Sequence, residues 1–121
     1  MIKILVPLLG DDIAPRFDLA PEAYIALVDD NQKIVEERTI VLSEASAETL
    51  CRMILDERIT MVICGGIEDE YYQYLVWKKV SVVDSVIGSS SKAIELAIKG
   101  ALSPGSILME RSIPQKSAPS T

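Results

Sequence analysis

The residues with most chemistry to offer stand in one short stretch, Met61-Val62-Ile63-Cys64-Gly65-Gly66, where a thiol closes an apolar run and two glycines follow it. Cys64 is the last side chain before whatever lies beyond the run. Glycines there have no Cβ to keep a ligand or a neighbouring backbone at a distance. Two other groups carry polar chemistry: Arg16-Phe17-Asp18, between Gly10 and Glu22, and Ser89-Ser90-Ser91-Lys92, directly after Gly88. The chain contains no histidine, which removes the commonest transition-metal ligand and general base. The serines therefore lack a base, and no Gly-x-Ser-x-Gly elbow occurs, so nucleophilic catalysis is not expected. The second cysteine, Cys51, falls on an apolar stripe and reads as a small core hydrophobe. Two cysteines in 121 residues are no disulfide framework.

Charge narrows the partners. Twelve Lys and Arg against eighteen Asp and Glu leave a net charge of -6, which disfavours non-specific binding to nucleic acid or to an anionic membrane. An anionic ligand would need a local site. No apolar run approaches the ~20 residues of a membrane span, and the start, Met-Ile-Lys-Ile-Leu-Val-Pro, enters a strand-like segment at once, so a cytoplasmic protein is expected. The length predicts one domain, burying roughly two-thirds of its unfolded surface.

The elements that position these groups follow from hydrophobic period. Residues 2–9 are apolar on both faces except for Lys3, the pattern of a covered central strand. Residues 10–22, with one glycine, two prolines and several acids, form a long loop, and loops of that length are usually functional. Residues 24–28 and 33–42 predict an antiparallel hairpin around Asp29-Asp30-Asn31-Gln32, with Glu36, Glu37 and Arg38 suited to an edge. Ser43 and Ser46 are candidate caps for a helix over 47–58, whose stripe is Ala47, Leu50, Cys51, Ile54 and Leu55.

Residues 61–64 predict a buried strand, because a Val- and Ile-rich run between two helical patterns marks a parallel strand. A helix over 68–79 follows, with Tyr71, Tyr72, Leu75 and Val76 on its apolar side. Its aromatic cluster, completed by Tyr74 and Trp77, could cover an interface or shield a crevice, although packing is the simpler reading. A short strand over 80–83 leads through Gly88 into a helix over 92–101. Residues 103–121 are rich in Ser and Pro and predict a mobile tail outside a domain of 1–102, with Ile107-Leu108-Met109 as an apolar patch able to fold back or meet a partner.

Strand, hairpin, then alternating helix and strand predicts an α/β fold: a three-layer, five-stranded mixed sheet of order 3-2-1-4-5 with helices on both faces, the ribonuclease H-like topology. The first and fourth strands are then parallel neighbours. The loop at 10–22, the Cys64-Gly65-Gly66 turn and the Gly88-Ser89-Ser90-Ser91 helix start share one end of the sheet, where open α/β sheets bind ligands. A ribonuclease H-like nuclease would need carboxylates for two metal ions, one of them on the first strand. Residues 2–9 contain none.

In this layout residues 1–102 resemble the dinitrogenase iron-molybdenum cofactor biosynthesis family, the small NifX-like domains. The resemblance rests on Pro15-Arg16-Phe17-Asp18-Leu19-Ala20 with Tyr24, where the family has His-Phe-Gly or Arg-Phe-Asp, on Val62-Ile63-Cys64-Gly65-Gly66, and on Val82-Val83 with residues 88–100. It implies a non-enzymatic protein that carries an iron-sulfur precursor or an iron-molybdenum cluster between donor and acceptor proteins. Arg16 stands where the cofactor-handling members have His.

A resident cluster wants about four thiolates, so a permanently bound one is not expected. For transient cargo, Cys64 would be the metal ligand. Arg16, Phe17, Asp18, Gly65, Gly66, Ser89, Ser90, Ser91 and Lys92 would line the site, with guanidinium, ammonium, backbone amides and the helix start neutralising an anion. The same residues admit a plainer reading, in which Arg16 pairs with Asp18 or Asp12, the serines cap a helix and Cys64 is simply buried. The alternative function is a regulatory or protein-interaction module that carries no cluster.

Overall fold

A computed structural model describes residues 1–108. Its strands are β1 (Ile2–Leu9), β2 (Asp12–Ile13), β3 (Glu22–Val28), β4 (Ile34–Val41), β5 (Met61–Ile63), β6 (Ser81–Val83), β7 (Ile87–Gly88) and β8 (Ile107–Leu108). Its helices are α1 (Ala47–Asp56), α2 (Asp69–Trp77) and α3 (Ser90–Ile98), with a 3-10 turn at Phe17–Leu19. The main sheet is mixed and runs β4-β3-β1-β5-β6, with β2 paired on the end of β1. It has six strands rather than the five expected. The extra one arises because Gly10, at φ 65°, turns the chain back so that Leu8 faces Ile13 and Leu9 faces Asp12.

β1 is the axis of the sheet. It pairs antiparallel with β3 from Ile2–Val28 to Leu8–Glu22, and parallel with β5 through Ile4–Met61 and Leu5–Val62. That second pairing is the parallel neighbourhood expected from the sequence. Alternate side chains of β1 enter different cores: Leu5 joins Ile25, Val62, Leu50, Ile54 and Leu75 under α1 and α2, while Ile4 and Val6 join Ile63, Ala93, Ile94 and Ala97 under α3. The period of two in β1 and β5 thus produces three layers, with helices on both faces.

The caps are local and conventional. Ser46, not Ser43, caps α1 by accepting from the Thr49 amide, and Ser89 caps α3 by accepting from the Lys92 amide, so that α3 starts two residues earlier than the apolar stripe indicated.

The domain also passes the boundary expected at 102. β8 pairs in parallel with β7, and Leu108 packs against the core under α3. A Cβ at Gly88 would lie 1.7 Å from the Leu108 carbonyl oxygen, so this contact requires glycine. The apolar patch at 107–108 folds back, as one of its two readings had it. The mobility expected for the rest of the tail lies outside the described residues.

Candidate functional site

The loop after β1 is stitched to both other loops at its end of the sheet. Its first half binds the start of α3: Ser90 donates from its amide and its Oγ to the Asp11 carbonyl at 3.1 and 2.8 Å, and Asp12 bridges to Ser89. Its second half binds the end of β5: the Gly66 amide donates to the Pro15 carbonyl at 2.7 Å, and the Phe17 amide donates to the Gly66 carbonyl at 2.8 Å. The three loops expected at one end are therefore joined, through residues 11–17.

That closure decides what the glycines are for. A Cβ at Gly65 would sit 2.5 Å from the Ala14 carbonyl oxygen and 2.7 Å from that of Pro15. The space beside Gly65 holds the chain's own loop rather than a ligand. Phe17 anchors that loop from below. It is 1 % exposed and lies in the core beneath α1, which corrects its expected place among ligand-lining residues.

Cys64 lies under the same cover. Its side chain is 0 % exposed and shares a core with Leu5, Phe17 and Val62. Its amide donates to the Val83 carbonyl and its carbonyl accepts from the Val86 amide, both at 3.0 Å. Burial, followed by the charge of Asp84, pushes the thiol up to about 12, so the protonated form prevails at neutral pH. The expectation that Cys64 and Arg16 face a common open crevice is corrected. The physical reason is phase: Cys64 continues the Val62 side of β5, the side covered by α1 and α2. Cys51 is buried on the stripe of α1, its thiol pushed up to about 11 by burial and then by Glu48. Among the described residues, no group of three or more His, Cys, Asp or Glu could hold a metal ion.

Arg16 is exposed and grips Asp18 with two bonds, Nε to Oδ1 at 3.1 Å and Nη2 to Oδ2 at 2.7 Å. The guanidinium holds the Asp18 carboxyl below its usual value. This is the pairing foreseen as the plainer reading of Arg16. Lys92 is exposed, its Nζ 4.0 Å from Glu95 Oε1. Ser89 is buried as the cap of α3, and its amide donates to the Leu108 carbonyl at 3.2 Å.

A cleft of about 660 Å³ remains open beside this helix start, lined by Asp11, Asp12, Ser90 and Ser91. Asp11 and Asp12 were not singled out as site residues, although two acids directly after a turn glycine were a usable signal. A second groove of about 580 Å³ lies between the β3-β4 hairpin and α3, with Tyr24, Ile34, Ile94 and Ile98 among its walls. The Tyr24 hydroxyl donates to Glu37 at 2.6 Å, and burial raises its pKa. This end of the sheet offers hydroxyls, one guanidinium, one ammonium and carboxylates. It can hold a ligand by hydrogen bonds and charge without a thiolate.

The model of the family described as dinitrogenase iron-molybdenum cofactor matches residues 1–100. The chain belongs to this family. Among solved structures, that of PH0822 is similar at 19 % identity and TM-score 0.76, covering 85 % of this chain and 94 % of the other. A candidate dinitrogenase from Methanocaldococcus jannaschii is 25 % identical at TM-score 0.69, covering 84 % and 92 %. A candidate NifB protein from Thermotoga is 15 % identical at TM-score 0.68, covering 92 % and 100 %. No curated protein matches the chain. Family membership thus agrees with the resemblance drawn from the motifs at 15–20, 62–66 and 82–83 with 88–100.

Proposed function

We propose that the protein is a non-enzymatic binding or carrier protein of iron-molybdenum or iron-sulfur cofactor assembly. Its cargo is an anionic metallocluster or small ligand, received from a donor protein and passed to an acceptor. The observation that carries this reading is the double attachment of the loop after β1, which gathers Arg16, Gly66 and the Ser90-Ser91-Lys92 helix start at one end of the sheet. Family membership supports the assembly role. We also read the β4-β3-β1-β5-β6 path with helices on both faces as ribonuclease H-like.

In this reading Arg16 exchanges Asp18 for the anion, and Lys92 and the serine hydroxyls complete the contact. Cys64, packed with Phe17 and Val62 on the side covered by α1 and α2, takes no part in this contact. The test is anaerobic incubation with an iron-sulfur or iron-molybdenum cluster source, followed by visible absorption and metal analysis. Wild type should take up cluster. Arg16→Ala should bind about tenfold to a hundredfold more weakly, since a charge-assisted hydrogen bond is worth roughly 1.5–3 kcal/mol. Cys64→Ser should match wild type, because the thiol is buried away from the contact. No uptake by wild type, or equal uptake by Arg16→Ala, would refute the reading.

A further inference from the structure

Two hollows meet at the start of α3. The cleft of about 660 Å³ and the groove of about 580 Å³ share Ser90 and Ser91 as walls. The cleft is acidic: Asp11 and Asp12 line it, and among the described residues neither forms an ion pair. The groove is apolar, with Tyr24 and Ile34 of the hairpin facing Ile94 and Ile98 of α3. Ile34 is 39 % exposed there, and hydrophobic side chains gathered round a hollow of this size favour an apolar occupant. The Tyr24 hydroxyl is engaged by Glu37, so what it presents to the groove is its ring.

The described chain ends beside the same place. The Leu108 carbonyl accepts from the Ser89 amide at 3.2 Å, and Asp12 bridges to Ser89 as well. Two strand spacings separate Leu108 from Asp12 by about 10 Å. Arg111, three residues past Leu108, spans at most about 11 Å before its side chain is counted, and Ile113, five residues past, at most about 18 Å. Ile94 and Ile98 lie about 6 and 12 Å along α3 from Ser90. The chain beyond Leu108 reads Met109-Glu110-Arg111-Ser112-Ile113-Pro114. It brings a guanidinium first and an isoleucine two residues later, the order in which the acidic cleft and the apolar groove are met.

We propose that residues 111–114 of this same chain dock across the start of α3, with Arg111 on Asp11 and Asp12 and Ile113 with Pro114 in the groove between Ile34, Ile94 and Ile98. Pro114 biases the residue before it towards extended backbone, the form in which Ile113 reaches farthest along α3. A short tether holds such a segment at millimolar effective concentration, so one charged contact and one apolar side chain suffice to seat it. The contact lies within one chain and does not depend on any cargo.

The test is limited digestion of the full chain by trypsin, which cuts after Arg111, inside the docked span, and after Lys116, beyond it. Both cuts are timed by mass spectrometry. A free peptide of residues 109–121 supplies the ratio of the two rates without the domain. Relative to the Lys116 cut, the Arg111 cut should be at least about tenfold slower in the full chain than in the peptide, because proteolysis follows the population of the open form.

Ile34→Asp, which places a charge in the groove, and Asp11→Asn with Asp12→Asn, which removes the acids, should each move the ratio towards that of the peptide. Ile113→Asp, compared with its own peptide, should remove the protection. It changes none of residues 1–108, so the test stays decisive should a domain variant fail to fold. A wild-type ratio equal to that of the peptide would overturn the proposal. So would protection that survives Ile113→Asp, the sign that mere nearness to the domain shields Arg111. Protection that grows with protein concentration would place the segment on a second copy and overturn it as well.

Discussion

Cys64 follows directly on β5 and Trp77 closes α2, and the chain treats them in opposite ways. The thiol, the group with obvious reactivity at the strand's end, has no exposed surface, while the largest side chain in the protein is 71 % exposed. Residue type alone would have reversed them. What decides is phase within the element: Cys64 shares a side of its strand with Val62, and Trp77 shares a side of its helix with Glu70 and Gln73, turned away from Leu75. The reactive group has become packing, and the packing group has become surface.

Thiol chemistry gives the sharpest way to break this contrast. With its pKa moved from 9.0 to about 12, Cys64 should be alkylated about a thousandfold more slowly in the native protein than in the unfolded one near neutral pH. Mass spectrometry after timed iodoacetamide treatment reads the difference, and equally fast labelling would show that the cover opens freely. Phe17→Ala should lower stability by about 3–5 kcal/mol in denaturant titration, because it removes the largest side chain beneath that cover. Gly65→Ala should cost about 1–3 kcal/mol, since its Cβ meets backbone that cannot step aside. Gly66→Ala, whose nearest contact is at 3.3 Å, should cost visibly less. At the other end, Trp77→Ala in dilute solution should change stability by no more than about 0.5 kcal/mol.

The smallest effect concerns acid. Asp18 titrates lower in the folded protein than its usual 3.8, so its contribution is complete above that value and is lost as pH falls through the lower, folded one. Asp18→Asn should flatten that part of the acid unfolding curve only slightly, because the pair with Arg16 lies at the surface.

The long periodic elements were legible in the sequence. The stripe Ala47, Leu50, Cys51 and Ile54 was enough to place α1, and the Val and Ile run placed β5 beside β1. Two-residue strands carry no period, so β2, β7 and β8 were not foreseen as strands, and with them went the sixth strand of the sheet; the fold-back at Leu108 was open to the sequence only as an apolar patch, not as a strand pairing. At the candidate site, the motifs indicated which loops meet but not what fills the space between them. Glycine permits a close approach by ligand and backbone alike, and only the path of residues 14–17 shows that backbone took the place. The plainer reading of Cys64 as simply buried had its physical ground in the alternation with Val62.

The position of β1 also bears on how the chain is made. Its antiparallel partner, β3, begins at Glu22 after the loop, but its parallel partner begins only at Met61, and the Lys3 amide finds the Thr60 hydroxyl 57 residues away. The seam between β1 and β5 therefore joins parts of the chain far apart in sequence, the kind of contact whose chain entropy is lost before the contact repays it. An unpaired strand edge is adhesive, so closing this seam is what protects the middle of the sheet from other chains.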